Sequence, residues 1–206
     1  MRLITPLLLA ITLLIAPAIA QADIFLYPLK RVRILLVVAH DVDISRALRL
    51  FKMEAAYVEK AVNVRLELTA VENMPEDMSG PPMLRMAKWQ LRTKHLAKKY
   101  KVGGTLVFLS PFPSSVDAID FESEAVLGMA SGIGVLGKDS ALAFIKIVGS
   151  DWVASRIGIH EIGHLLGAWH IHNGIMAPYA DANQYASEYS LQTIQQIQEY
   201  ASHLPD

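Results

Sequence analysis

The 206-residue chain contains no cysteine, which excludes disulfide frameworks, thiolate metal sites and thiol nucleophiles together. It leaves the redox compartment unmarked by cysteine usage as well. A surplus of charge of either sign is also missing: 19 Lys and Arg stand against 20 Asp and Glu, a formal net charge of −1. Nucleic-acid binders carry a basic excess that neutralises phosphates, so this class of partner is excluded. Basic residues gather only at Lys30, Arg31 and Arg33, entering a predicted strand, and at Lys98, Lys99 and Lys101. The second group closes a predicted helix, where cations suit the carbonyl end of the dipole. Internal repeats and low-complexity tracts are absent. With 52% hydrophobic and 19% charged residues, the composition is that of a folded globular protein.

What is present begins with an apolar leader. Arg2 supplies a positive charge, and Leu3 to Ile15 is apolar except for Thr5, Pro6 and Thr12. Pro17 precedes Ala18-Ile19-Ala20 and Ala20-Gln21-Ala22, both of small-x-small form. This layout predicts a secretory signal peptide over residues 1–22 and a secreted or periplasmic protein. After cleavage no stable membrane association is expected. An uncleaved anchor is the other reading, because the apolar stretch approaches spanning length.

Periodicity organises residues 23–206 as one domain. Arg31 to Ala39 reads as a buried strand, and Asp43 to Lys60 as a helix capped by Asp43, with Ala47, Leu50, Phe51, Ala55 and Val58 at helical spacing. Val62 to Val71 alternates as a half-buried strand. Met83 to Tyr100 forms an amphipathic helix ended by Gly103-Gly104. Thr105 to Leu109 and Ala141 to Val148 are further strands, with an irregular edge strand expected between Ala125 and Gly137. The loop carrying Asp117, Asp120, Glu122 and Glu124 reads as a solvated acidic loop or a calcium site. This order predicts an α/β (α+β) fold: a mostly parallel twisted sheet with an antiparallel edge strand.

The chemistry concentrates in SDWVASRIGIHEIGHLLGAWH, residues 150–170. Ser150 or Asp151 can cap a helix that buries Ile159, Ile162 and Leu166 on one stripe. His160 and His164, one turn apart on the roughly opposite face, can share one metal ion. Glu161 stands beside them, able to act as a proton acceptor without ligating. Glycine at 167 tolerates the left-handed backbone that ends a helix abruptly, so His170 can swing back to complete the set. Three neutral imidazoles and one open place describe a catalytic zinc site. There Glu161 would activate a zinc-bound water and return its proton to a leaving amine. His172 is a rival third ligand by proximity. His40, His95 and His203 are expected to face solvent, and Trp152 and Trp169 to act as packing anchors.

HEIGHLLGAWH resembles the signature HExxHxxGxxH of the metzincin zinc endopeptidases at every fixed position. The resemblance implies a metzincin-like zincin fold with an active-site helix, a C-terminal helix, and a methionine turn beneath the metal. Asn173-Gly174-Ile175-Met176-Ala177-Pro178 looks like that turn, with Met176 as its methionine. Within the clan the chain is most similar to the matrixins, from Ile175-Met176-Ala177-Pro178 and from the helix Tyr189 to Tyr200, with Ser190 as N-cap. Departures are plain: no cysteine for a thiol switch, no second zinc motif, and Gln192-Thr193 where matrixins usually carry paired aspartates. Pro178 stands where astacin-like members place a tyrosine.

The resemblance implies a zinc endopeptidase acting on a peptide or protein substrate, and the chain is expected to be a monomer. Such a substrate would lie along the glycine-rich stretch Leu127 to Gly137, with residues 179–189 shaping a pocket. A zinc-dependent peptide-binding module without catalysis is the alternative; it has no chemical need for Glu161. A zinc hydrolase acting on non-peptide substrates is a third reading.

Overall fold

Runs of β-branched and leucine residues set the frame of the computed structural model, which describes residues 27–74, 82–110, 128–178 and 188–205. The elements follow in the order β1 (Lys30–Val38), α1 (Ile44–Val62), β2 (Val64–Asn73), α2 (Pro82–Tyr100), β3 (Gly104–Leu109), β4 (Gly128–Ala130), β5 (Leu142–Lys146), α3 (Asp151–Leu165) and α4 (Leu191–Ala201). The strands form one sheet in the order β2-β1-β3-β5-β4. All neighbours run parallel except β4, which pairs antiparallel to β5 at the edge. The mostly parallel sheet with one antiparallel edge is therefore present as expected. The leader, the acidic loop with its calcium option, and residues 179–187 of the expected pocket segment lie outside the described residues. Among the described residues, no helix is long and apolar enough to cross a membrane.

Parallel strands buried on both faces read as unbroken apolar runs, and β1 and β3 do. Val32, Ile34, Leu36 and Val38 join the larger core with residues of α1, α3 and α4, whereas Leu35 and Val37 join a second core with Leu96 and Ala97 of α2. The sheet is thus sandwiched, with the histidine-bearing helix α3 on the more heavily covered face.

Two local expectations need correction. The alternation predicted through Val71 holds only to Leu66, and Leu68 and Val71 are each 38% exposed. The β1–β2 register shifts between Ile34 and Leu35, leaving Thr69 without an opposite residue. Such a bulge re-aims the side chains beyond it, and Ala70 packs against the second core instead. Helix α2 is not ended by left-handed glycine: Lys101 takes the positive φ, at 53°. Gly103 serves close approach, since a Cβ there would lie 2.9 Å from the Cα of Gly137.

Candidate metal centre

Helix α3 starts where its sequence says. Ser150 accepts a hydrogen bond from the Val153 N–H at 3.3 Å, a standard N-cap. Asp151, in the first turn, bonds Arg46 at 2.8 Å and Arg49 at 3.4 Å, both on α1. The carboxylate complements the positive end of the helix dipole while tying the two helices together. Arg46 and Arg49 hold its pKa below the ordinary aspartate value. Ala154, Ile157, Ile159, Ile162 and Leu165 bury into the larger core.

The helix stops abruptly. Gly167 has φ of 96°, and its N–H donates to the His164 carbonyl at 2.9 Å. A remote segment caps the exposed carbonyls: Gly134 donates to His164 at 3.0 Å, and Val135 and Leu136 to Leu165 at 3.0 and 2.9 Å. These bonds satisfy the carbonyl groups that a helix end leaves without intrahelical partners. Tyr200 of α4 closes over the junction, its hydroxyl donating to the Leu136 carbonyl at 2.6 Å.

His160, His164 and His170 meet beyond this turn. Their Nε2 atoms form a near-equilateral triangle with sides of 3.2, 3.1 and 3.1 Å. Nδ1 of His160 faces the Ile175 carbonyl at 2.7 Å and that of His164 faces the Ala168 carbonyl at 2.8 Å. A carbonyl oxygen only accepts, so each of these Nδ1 atoms carries the proton and each Nε2 presents a lone pair. Lone pairs at such separations repel unless a cation lies between them. Zinc–imidazole bonds of 2.0–2.1 Å in tetrahedral array imply N···N spacings of about 3.3 Å, so the donor set fits a zinc-sized ion. Carbonyl partners on the far nitrogens are the usual outer support of such ligands. Burial drives the His160 imidazole down to about 4, against the raising effect of the Ile175 bond, and lowers His164 likewise. Both stay neutral, as ligation requires.

The turn expected to carry Met176 lies against this helix. Gly174 takes φ of 75°, the Ile175 N–H donates to the Glu188 carbonyl at 3.1 Å, and the Ile171 N–H to the Met176 carbonyl at 3.1 Å. Met176 is fully buried. Its Sδ would lie 2.5 Å from a Cβ at Gly163, so the missing side chain between the two helical histidines makes room for the sulfur. Glu161 is only 5% exposed, tucked toward Gly128 of the edge strand. Burial pushes its carboxyl up to about 8; a dication beside it acts in the opposite sense and favours the carboxylate.

Other expectations sort out differently. His172 is exposed and stands outside the cluster, while it lines, with His170, Asn173, Pro178 and Gln192, a surface cavity of about 490 Å³. His40, His95 and His203 are exposed, as expected. Trp152 and Trp169 are not packing anchors, being 41% and 63% exposed. Trp152 instead stacks near the Arg156 guanidinium, 5.1 Å from its ring centre, and Trp169 offers its backbone N–H to Gln196 at 3.1 Å.

Two residues beside the site escaped sequence reasoning. Tyr189 is buried, donates its hydroxyl to the Ile159 carbonyl at 2.7 Å, and gives its N–H to the Tyr57 hydroxyl at 2.7 Å. It thereby links α1 to the start of the metal-binding half of α3. Glu54 of α1 is wholly buried, and neither carboxylate oxygen has a hydrogen-bond partner among the described residues. It packs where Gly158 leaves space on α3. Its signal was available: it occupies the helical position midway between Leu50 and Val58 on the buried stripe.

No family model matches the chain, and no curated protein matches it in sequence. Solved structures do match in fold. Metalloproteinase-II from Bacteroides fragilis superposes with a TM-score of 0.62 at 16% identity, over 84% of this chain and 53% of that one. A chaperone–substrate complex gives 0.58 at 13%, over 85% and 34% respectively. Archaemetzincin from Methanopyrus kandleri gives 0.52 at 15%, over 82% of this chain and 94% of its own. The chain thus spans about half of the first of these and a third of the second. The chain shares its fold with the two metalloproteinase structures, from Bacteroides fragilis and Methanopyrus kandleri, and the finer likeness to matrixins rests on the sequence motifs alone.

Proposed function

We propose that this chain is a zinc-dependent endopeptidase of the metzincin kind. Three Nε2 atoms within 3.2 Å of one another, two of them with their far nitrogens held by carbonyls, carry this reading. Zinc bound there would supply Lewis acidity, polarising a carbonyl and making water more acidic. Glu161 is the group on this chain that moves the proton. Its carboxylate accepts a proton from the attacking water and hands it to the departing amine. Zinc binding without catalysis would leave a buried carboxylate beside the histidines with no chemical task, at the desolvation cost that such burial carries.

Peptide as substrate class is supported by β4. This short strand ends the sheet among the described residues, and an extended peptide can add to such an edge through main-chain hydrogen bonds. The leader proposed over residues 1–22 would place this chemistry outside the cytoplasm.

The test is hydrolysis of a peptide library by the purified full chain loaded with one equivalent of zinc. Cleavage is expected, with Glu161→Gln abolishing it while retaining the metal. Undiminished cleavage by Glu161→Gln would remove the proposed proton carrier. Hydrolysis of esters but of no peptide would point to a different substrate class.

A further inference from the structure

Gly128 stands at the start of the edge strand, facing α3. A Cβ built on it would lie 2.5 Å from Oε1 of Glu161, 2.7 Å from its Cγ and 2.8 Å from its Cδ. Contacts this short are sterically forbidden, so in any other residue something must move. The strand cannot easily withdraw, because Gly128, Met129 and Ala130 are paired with Ile145, Phe144 and Ala143, all three buried. Nor can the helix retreat, since Ile159 and Ile162 on either side of Glu161 are packed into the core at 2% and 1% exposure. What yields is the flexible end of the glutamate itself.

We propose that Gly128 is a positioning residue: the absence of its side chain is what seats the Glu161 carboxylate between the edge strand and the metal-binding histidines. This inference rests on the peptidase reading, since it gives Glu161 a place as well as a task. Its chemical content is geometric. Any side chain at 128 swings the carboxylate out of its slot without unfolding the protein, and a misplacement of about 1 Å in a reacting group can cost roughly 100-fold in rate. In this role Gly128 acts through Glu161, by the space its missing side chain leaves, and not through the β4 backbone to which a peptide would add.

Four zinc-loaded full-length chains test it: wild type, Gly128→Ala, Glu161→Ala and the double variant. Gly128→Ala is expected to lower kcat about 10- to 100-fold with KM little changed and the zinc stoichiometry unaltered. It is also expected to lower the urea midpoint in the presence of Glu161, and not in the Glu161→Ala background, where the colliding carboxylate is gone. Because the cycle compares the same glycine replacement in two backgrounds, the strand propensity gained with alanine cancels. Gly128→Val should exceed Gly128→Ala in both effects. Equal midpoint shifts in the two backgrounds overturn the inference, as does a change in KM alone or loss of zinc. If the wild-type chain cleaves no peptide, the peptidase reading falls, and the midpoint cycle by itself upholds or overturns the contact.

Discussion

The Nδ1 of His160 lies 2.7 Å from the carbonyl oxygen of Ile175, so the turn that follows the three histidines orients the first of them. The next residue, Met176, puts its sulfur where Gly163 has no side chain. Histidine orientation and methionine packing are therefore coupled through one short segment, itself held by the Glu188 carbonyl.

Gly163→Ala should break that coupling. The added Cβ meets Sδ of Met176 at 2.5 Å and the Tyr189 hydroxyl at 3.2 Å, and overpacking of this kind costs about 1–3 kcal/mol. A lower denaturant midpoint and weaker zinc binding are expected, with partial recovery in Gly163→Ala/Met176→Ala. No recovery in the double variant would place the strain elsewhere.

Metal content separates the three clustered histidines from the fourth nearby. Full-length protein should bind one zinc, and alanine at His160, His164 or His170 should abolish stoichiometric binding. His172→Ala should retain it, because His172 lies outside the cluster. A chelator should lower Tm, since free metal at about 100 times Kd stabilises by roughly 2.7 kcal/mol. Retained zinc in His170→Ala together with its loss in His172→Ala would reverse the assignment.

Glu54 predicts a pH dependence of stability. Burial raises its carboxyl well above the ordinary value of 4.5, and the titratable group that feels its charge is the buried Tyr189. With the folded pKa raised, the unfolded chain loses its proton first. The stability contribution is full below pH 4.5 and is lost as pH climbs from there through the folded value. Glu54→Gln removes this titration, so its stability relative to wild type should rise with pH, by at most about 1.4 kcal/mol per pH unit. Urea titrations across pH check it; a difference that stays constant with pH would mean that Glu54 does not ionise late.

Gly167→Ala combines a backbone and a packing fault. Its φ of 96° is unfavourable to any side chain, and the new Cβ would stand 2.9 Å from that of Tyr200. About 1–3 kcal/mol of lost stability is expected. Because His170 follows on the same turn, zinc affinity should fall with it. A neutral substitution would show that the turn relaxes without this glycine.

Much of this site is legible in the chain because it is local. Histidines one helical turn apart, a cap at Ser150, a glycine that ends the helix and a histidine three residues on all depend on short-range geometry, and each finds its place. The succession of strands and helices along the chain was accessible for a similar reason, since buried parallel strands and amphipathic helices carry distinct periods, whereas the order of the strands within the sheet was not. Glu54 shows the limit of that logic: its spacing marks it as buried, yet its chemistry argues for the surface, and only its burial against Gly158 resolves the conflict.

Spacing along the chain determined the identity of the histidine cluster, the helix that bears it and the edge strand as an element, because all are set within a few residues of backbone. Tertiary structure alone decided that Gly128 borders Glu161, that Met176 fills the gap at Gly163 and that residues 134–136 cap the end of α3. Those contacts join segments distant in sequence, and no periodicity encodes which of two remote surfaces will meet.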